Sequence, residues 1–225
     1  MLHIRREVVP FIGIVAVLSI GIGFFLDATL PAIGFFLLVT AYLLFFFRDP
    51  DRIPPQDPVA ILSGADGCVL SVTRMTENKY LKTDCVRISV FLSVFDVHVN
   101  RAPMPGYAKF LGFFPGKKLA AFREKSSELN QNNKILIEGT QTRCLIVQIV
   151  GILARRVVYW LDQEVPVPVT AGDRIGMMKF GSRLDLYLPD SDVRVLVEPG
   201  DRVRAGETIV AQIKPRNACQ NDFTE

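Results

Sequence analysis

The sequence has few of the residues that build metal and redox centres. Its 225 residues include four cysteines and two histidines. No two cysteines form a Cys-x-x-Cys pair and no histidine lies close to a cysteine, which argues against a zinc or redox centre. His3 is near the N-terminus, so any histidine chemistry falls almost wholly on His98. We therefore expect no metal site.

Strong charge of one sign is also absent. The chain has 26 Lys and Arg against 23 Asp and Glu, a formal net charge of +3, and no run rich in lysine or arginine. Such runs are typical of nucleic-acid-binding proteins, so nucleic acid is not an expected partner. A mildly basic surface suits anionic lipid but does not require it.

Two long apolar runs occupy the N-terminal part. Residues 8–26 are 19 residues without a charge, and residues 30–47 are another 18. Each is long enough to cross a hydrocarbon core of about 30 Å at about 1.5 Å per residue. A cleaved signal peptide fits poorly because the second run follows at once. A buried core hairpin stays open, although these lengths favour lipid. The sequence therefore predicts a membrane-anchoring helical hairpin over residues 1–48.

The charges around the two runs predict their orientation. Arginines flank the outer ends of the hairpin, and the turn between the runs carries no Lys or Arg; these arginines are Arg5, Arg6, Arg48 and Arg52. By the positive-inside rule both ends face the cytoplasm.

The rest of the chain is organised as a linker and one larger domain. Residues 49–58 hold four prolines and are predicted to form a stiff linker. Short apolar runs separated by turn signals follow, which predicts a β-dominated domain over residues 59–225. Residues 86–94 alternate between apolar and polar side chains, the pattern of a strand with one buried face. Residues 193–212 resemble the hairpins of lipoyl- and biotinyl-type barrel-sandwich domains.

Three segments have both a structural and a functional interpretation. Asp66-Gly67 is a standard turn pair. His98 continues the core face of the preceding strand, so it is either a satisfied buried histidine or a neutral base, which Asp96 or Asp66 would orient. Residues 107–118 form either a strand and a turn, or a loop that enters the lipid headgroup region. In the second case the lipid-surface contacts would be Phe113, Phe114, Lys117 and Lys118.

The pair Gly181-Ser182 lies between two apolar runs and is also ambiguous. It is either a turn or a site at which the chain attacks itself. A serine hydroxyl held against the preceding carbonyl converts the amide into an ester, and glycine tolerates the strained backbone that this attack needs. Elimination would then break the chain and leave a pyruvoyl group on the new N-terminus.

The run around this pair decides between the two interpretations by resemblance. Ile175-Gly-Met-Met-Lys-Phe-Gly-Ser-Arg-Leu-Asp-Leu-Tyr-Leu-Pro189 closely resembles the processing site of short-form phosphatidylserine decarboxylase proenzymes. Further matching pieces occur in the family's order: Phe47-Arg-Asp-Pro50, Ala65-Asp-Gly67, Phe95-Asp-Val-His-Val-Asn-Arg-Ala-Pro103 and Gly151-Ile-Leu-Ala-Arg-Arg156. The resemblance covers the whole chain in the sense of domain order.

The resemblance implies a complete function. The chain would be a carboxy-lyase that converts phosphatidylserine to phosphatidylethanolamine in phospholipid biosynthesis, after autocatalytic cleavage between Gly181 and Ser182. Ser182 would become the pyruvoyl cofactor and form the Schiff base with the substrate, without a metal. Asp66, His98 and Ser182 would form the self-processing triad. The fold implied is a β-dominated (α+β) catalytic domain with a barrel-sandwich-hybrid-like C-terminal part.

The same resemblance implies partners and location. Chains 1–181 and 182–225 would stay together as a heterodimer, and a higher oligomer stays open. The substrate would be a membrane phospholipid, and the catalytic domain would face the cytoplasm from the inner membrane.

The chain departs from the family pattern at two places. Longer members carry a second histidine where this chain has Arg101, so His98 would serve both processing and decarboxylation or the second role would lie elsewhere. The family tends to show Asn-Glu-Arg-Asn where this chain has residues 130–133, Asn-Gln-Asn-Asn.

Two other functions fit parts of the sequence. Lys179 near a Val-x-x-Gly-Asp hairpin is similar to the modified lysine of biotinyl or lipoyl carriers, which would make the chain a membrane-tethered carrier. Phe180 follows that lysine where carriers have methionine. A lipid-binding homologue that never processes itself is the other alternative.

Overall fold

The structure is a computed structural model that describes residues 2–116, 130–151, 157–179 and 181–215. In these ranges the helices are α1 (Val9–Phe25) and α2 (Thr29–Phe46), with a short 3₁₀ turn at Arg6–Val8 before α1. The strands of the first half are β1 (Leu2–Ile4), β2 (Arg48–Pro50), β3 (Ala60–Leu62), β4 (Gly67–Glu77), β5 (Thr83–Leu92), β6 (Val99–Arg101) and β7 (Gly106–Phe114). Those of the second half are β8 (Asn132–Glu138), β9 (Arg143–Val150), β10 (Val158–Tyr159), β11 (Val167–Val169), β12 (Arg174–Met177), β13 (Ser182–Pro189), β14 (Val193–Val195), β15 (Arg202–Val203) and β16 (Ile209–Ile213).

Helices α1 and α2 form a hairpin whose apolar side chains mostly face outward. Val17, Leu30 and Leu38 are each more than two-thirds exposed. Both helices are long and apolar enough to cross a membrane, and a helix satisfies its own backbone hydrogen bonds in lipid. Their ends differ from the predicted runs by one residue. The exposed apolar surface supports association of this hairpin with a membrane.

The catalytic part predicted over residues 59–225 is built on a large antiparallel sheet. Its strand order is β11-β7-β8-β9-β13-β5-β4-β15, which places β13 between β5 and β9. Two three-stranded sheets, β10-β12-β6 and β14-β16-β3, accompany it. The predicted β-dominated fold with two N-terminal apolar helices is confirmed. The barrel-sandwich-hybrid arrangement of the C-terminal part stays a prediction.

Strand β5 is buried on both faces, so the prediction of a single buried face is wrong. Ile88, Val90 and Leu92 pack in the main core. The opposite face carries Ser89, which is fully buried and accepts a hydrogen bond from the Nη2 atom of Arg183 at 2.8 Å. That arginine also pairs with Asp185, its Nε lying 2.6 Å from the carboxylate. Polar side chains of β5 are therefore covered by a buried ion pair rather than by water.

The junction between the hairpin and the sheets is organised around one carboxylate. Asp49 on β2 is fully buried, and three arginines surround it. The shortest atom pairs are 2.7 Å to Arg174, 3.1 Å to Arg101 and 3.4 Å to Arg5. Arg5 precedes α1, whereas Arg101 and Arg174 belong to β6 and β12. The first residues of the predicted linker therefore form a strand that ties the hairpin to the β-domain.

Substitution of Asp49 by asparagine should destabilise this junction strongly. Removing the charge takes away the buried counterion that the three arginines share, and breaking a buried ion pair typically costs about 3–5 kcal/mol. Thermal unfolding in detergent would measure the loss. The control is Asp51→Asn, which removes an exposed partner of Arg174 and should change the midpoint little. Equal effects of the two substitutions would contradict the importance of the buried cluster.

Candidate active site

Ser182 is the first residue of β13, the strand between β5 and β9. It pairs with Leu92 on one side and Val150 on the other, and it is fully buried. Its Oγ donates a hydrogen bond to the main-chain oxygen of Lys179 at 3.4 Å. A serine in this place is held by strands on both sides and is shielded from bulk water.

Gly181 has a left-handed backbone conformation, with φ of +64°. A Cβ built on this residue would meet no atom within 4 Å, so space does not require glycine here. The conformation does, because a side chain disfavours the left-handed region by roughly 1–2 kcal/mol. The chain therefore turns sharply on the residue whose carbonyl precedes Ser182.

His98 lies just before β6 and is fully buried. Its Nδ1 is 2.9 Å from the main-chain oxygen of Asp96. A carbonyl oxygen only accepts hydrogen bonds, so Nδ1 must carry the proton and Nε2 must present its lone pair. Nε2 is buried and has no hydrogen-bond partner among the described residues. The lone pair of Nε2 is therefore available to accept a proton.

The aromatic C-terminal end of α2 shields His98 from water. The ring of Phe46 lies 4.3 Å from the imidazole, centroid to centroid, and is itself fully buried. Burial lowers the pKa of His98 to about 4, although the main-chain oxygen and the charge of Asp96 act in the opposite direction. The imidazole is consequently neutral at physiological pH and is able to accept a proton.

The segment that follows β12 is bonded to the main chain of His98. The main-chain N–H of Met178 donates to the carbonyl of His98 at 3.1 Å, and Met178 is four residues before Ser182. In the described part of the chain, the Ser182 hydroxyl bonds to Lys179 rather than to His98. His98 is therefore bonded to the segment that leads to Ser182, and no hydrogen bond between the two side chains is made among the described residues.

Asp66 does not join them. Its carboxylate accepts hydrogen bonds from Nη2 of Arg52 and from the main-chain N–H of Ala205, both at 2.7 Å. Burial raises the pKa of this carboxyl group, and Arg52 opposes the rise. Asp66 directly precedes β4, and β5 lies between β4 and β13. The distance across the sheet from Asp66 to Ser182 is therefore two strand spacings, about 10 Å. The group that holds His98 is thus the Asp96 carbonyl and not the carboxylate of Asp66.

The Asp66-Gly67 pair is more than a turn. A Cβ on Gly67 would lie 2.0 Å from the main-chain oxygen of Phe91, which no side chain could accommodate. Gly67 therefore allows β4 to approach β5 directly beside Asp66. Arg52, the ion-pair partner, was not predicted from the sequence, where it is only one more charge in the linker.

Arg101, at the position of the family's second histidine, is directed away from Ser182. Its guanidinium donates to the main-chain oxygens of Gly172 at 2.9 Å and Pro50 at 2.8 Å, in addition to Asp49. It lies three residues after His98, so the two side chains leave an extended segment on opposite faces. Arg101 accordingly takes part in the junction, and none of its hydrogen bonds in the described part of the chain goes to Ser182 or His98.

The predicted lipid-contact residues are only partly described. Phe113 on β7 is half exposed, and Phe114 lies within cation–π distance of Lys79 and Lys134, at 5.3 and 5.0 Å. Lys117 and Lys118 lie outside the described residues. Residues 106–114 form a strand, and their contact with lipid stays a prediction.

Lys179, the residue proposed for the carrier, packs against the hairpin. Its Nζ lies 5.4 Å from the ring centroid of Phe11 and 6.0 Å from that of Phe47. A modified lysine of a carrier must reach a distant enzyme, and a half-buried one held over two rings is poorly placed for that. In the described ranges, no group of three or more His, Cys, Asp and Glu side chains could hold a metal ion.

Sequence comparison identifies the family. The sequence model described as phosphatidylserine decarboxylase matches residues 39–211. A phosphatidylserine decarboxylase proenzyme of Desulfotalea psychrophila is 41% identical over 211 residues, which are 93% of this chain and 96% of that protein. Proteins of the same name from Carboxydothermus hydrogenoformans and Syntrophus aciditrophicus are 42% and 37% identical over 90% and 91% of this chain, and over 92% and 95% of their own lengths. The chain therefore belongs to the phosphatidylserine decarboxylase family.

Proposed function

We propose that the chain is a membrane-bound proenzyme that cuts itself between Gly181 and Ser182 and then decarboxylates phosphatidylserine to phosphatidylethanolamine. Its family membership supports the reaction. The observation that supports the self-cleavage is the left-handed backbone conformation of Gly181 directly before the buried Ser182. Four residues before Ser182, the main chain of Met178 is bonded to that of His98, whose imidazole is neutral.

Self-cleavage is proposed to begin with transfer of the Ser182 hydroxyl proton to Nε2 of His98. Oγ attacks the carbonyl carbon of Gly181, His98 passes the proton to the nitrogen as the C–N bond breaks, and an ester replaces the amide. Loss of a proton from Cα and cleavage of the Cβ–Oγ bond leave Gly181 with a free carboxylate. Hydrolysis of the new unsaturated N-terminus consumes one water and releases one ammonia, which leaves the pyruvoyl group.

The residues present fit a pyruvoyl group, because Ser182 is buried between two strands of the sheet and is shielded from water. The group would supply a ketone that draws electrons from the substrate as carbon dioxide leaves. His98, with its proton on Nδ1 and its Nε2 free, is proposed to take up the proton that the substrate ammonium loses when it reacts with the ketone, and to deliver it to the substrate carbon once carbon dioxide has left. Asp66 is proposed to act indirectly, by fixing Arg52 and the segment that contains Ala205.

The two products are proposed to remain one particle. Strand β13 belongs to chain 182–225, whereas its neighbours β5 and β9 belong to chain 1–181. Separating the chains would break both ladders and expose the core. The proposed units are the hairpin 1–48, the linker 49–58 and the catalytic domain 59–225, with flanking arginines that favour a cytoplasmic, inner-membrane orientation.

The test is decarboxylation by the purified protein in vesicles that contain phosphatidylserine. Release of carbon dioxide should require no added metal, and borohydride, which reduces a ketone, should abolish it when added before the substrate. Vesicles of phosphatidylcholine serve as the substrate control. Full activity after borohydride treatment, or no activity in a cleaved preparation, would refute the proposal.

The acid limit of self-cleavage should depend on Phe46. With the ring in place, His98 stays neutral down to a pH of about 4, so cleavage slows only below that value. Phe46→Ala admits water, and the pKa should rise toward about 6.5. Cleavage of the variant should therefore already slow as the pH falls through that value. Cell-free synthesis across a pH series measures the rate.

The matched control for this experiment is Phe35→Ala, which removes an exposed ring on the same helix. Its pH profile should coincide with that of the parent chain. An unchanged profile for Phe46→Ala, with a folded protein, would show that this ring does not set the protonation of His98.

A further inference from the structure

Two buried amide side chains face each other across the sheets. Asn100 on β6 and Gln148 on β9 are both fully buried, and Nε2 of Gln148 donates to Oδ1 of Asn100 at 2.8 Å. Nδ2 of Asn100 and Oε1 of Gln148 have no partner among the described residues. A buried polar group without a partner costs stability, so an unused donor beside an unused acceptor calls for a ligand.

The pair offers one donor and one acceptor whichever way its amides are oriented. If both amides are turned over, Asn100 becomes the donor of the mutual bond. The atoms left over are then its Oδ1 and Nε2 of Gln148. The oxygen and nitrogen of a side-chain amide have nearly the same shape and are easily interchanged. The pair has one free donor and one free acceptor in either orientation. The chemical character of the pair does not depend on the assignment.

Gln148 of the pair lies on the same face of the sheet as Ser182. Gln148 lies opposite Leu184 in the ladder, which makes it the diagonal neighbour of Ser182 on the same face, at about 7–8 Å. His98 directly precedes β6, and its main-chain oxygen accepts from Met178 just after β12, so the pairing of the two segments continues to His98. Asn100 is two residues after His98, and the two side chains are therefore expected on one face. Gly176 of β12 pairs with Asn100 and holds β6 in register.

We propose that Asn100 and Gln148 recognise the serine headgroup of the substrate. The free N–H donates to the α-carboxylate, and the free C=O accepts from the α-ammonium group. This inference rests on the proposed function, since it needs the headgroup to enter beside Ser182. Neutral amides suit the reaction, because a cationic partner would stabilise the carboxylate most before it is lost.

Binding to the uncleaved Ser182→Ala chain isolates this recognition from chemistry. The probes are lysophosphatidylserine and lysophosphatidylethanolamine, which differ by the carboxylate alone. We expect the parent Ser182→Ala chain to bind the serine lipid at least about tenfold more tightly, the effect of one hydrogen bond to a charged group. Adding Asn100→Leu and Gln148→Met, which keep the shapes and remove the polar atoms, should reduce the preference to within about twofold.

Three further measurements complete the test. Thr142→Val removes a part-buried hydroxyl that bonds to Asp192, and this control should keep the preference. With Ser182 restored, the Asn100→Leu/Gln148→Met chain should still cut itself while its kcat/KM falls about 10²-fold or more. Should that double variant fail to fold, Asn100→Asp should weaken binding of the serine lipid more than that of the ethanolamine lipid.

The outcomes separate this inference from the proposed function. If the preference for the serine lipid survives both substitutions, the pair holds only a water molecule. If the parent Ser182→Ala chain shows no preference, the pair does not bind the carboxylate. Either result overturns the inference, as does loss of self-cleavage in a folded double variant. None of them bears on whether Ser182 becomes a ketone.

Discussion

Ser182→Ala should yield a protein that stays in one piece and releases no carbon dioxide from phosphatidylserine. Alanine lacks the Oγ that attacks the Gly181 carbonyl, and it also lacks the atoms from which the ketone would form. Both events therefore fail together, and the loss should be complete rather than graded. A denaturing gel and intact mass should show no fragment of 44 residues (225 − 181).

The matched control is Ser191→Ala, in the turn after β13, where the hydroxyl donates to the neighbouring Asp192. This variant should be cut and active like the parent chain. The same gels separate the alternative functions. A carrier would give one chain with added mass on Lys179, and a non-processing homologue would give one unmodified chain. A cut Ser182→Ala chain would rule out the proposed nucleophile.

His98→Ala should slow self-cleavage by about 10²–10⁴-fold, the usual contribution of a general base. Among the described residues Nε2 is unprotonated and has no hydrogen-bond partner, whereas the only other histidine of the sequence, His3, is exposed. The rate is measured by following the 182–225 chain during cell-free synthesis.

Imidazole in the buffer provides the discriminating control for His98→Ala. The substitution leaves a cavity next to Phe46 that has the shape of the missing ring, so added imidazole should restore part of the rate. A merely structural defect would not respond to imidazole. A rate within about threefold of the parent chain would mean that another group takes the proton.

The N-terminal helical hairpin could be predicted from the sequence because its signal is local. Two uninterrupted apolar runs predict two helices by length alone, and the observed ends differ by one residue. The Phe47–Pro50 motif could be matched but not explained. In the structure Phe47 is buried beside Lys179, Arg48 donates to the carbonyls of Phe45 and Phe95, and Asp49 gathers three arginines. These three residues of the motif connect the hairpin to the β-domain.

The site was predicted less completely because its contacts join distant strands. Alternation in β5 indicates which residues share a face, but it cannot show that a second buried cluster and the Arg183–Asp185 pair cover the other face. The resemblance indicated a triad, whereas the structure gives Asp66 to Arg52 and gives His98 to a main-chain carbonyl. Asn100 and Gln148 lie 48 residues apart, and nothing in either neighbourhood indicates that they meet.

The chemical state of residue 182 in an active preparation decides the matter most directly. Mass spectrometry of the C-terminal chain should find it lighter by one ammonia than a hydrolysis fragment that begins with serine, and blocked to N-terminal sequencing. An active protein whose main chain is continuous through this position, or whose fragment begins with ordinary serine, would contradict the account.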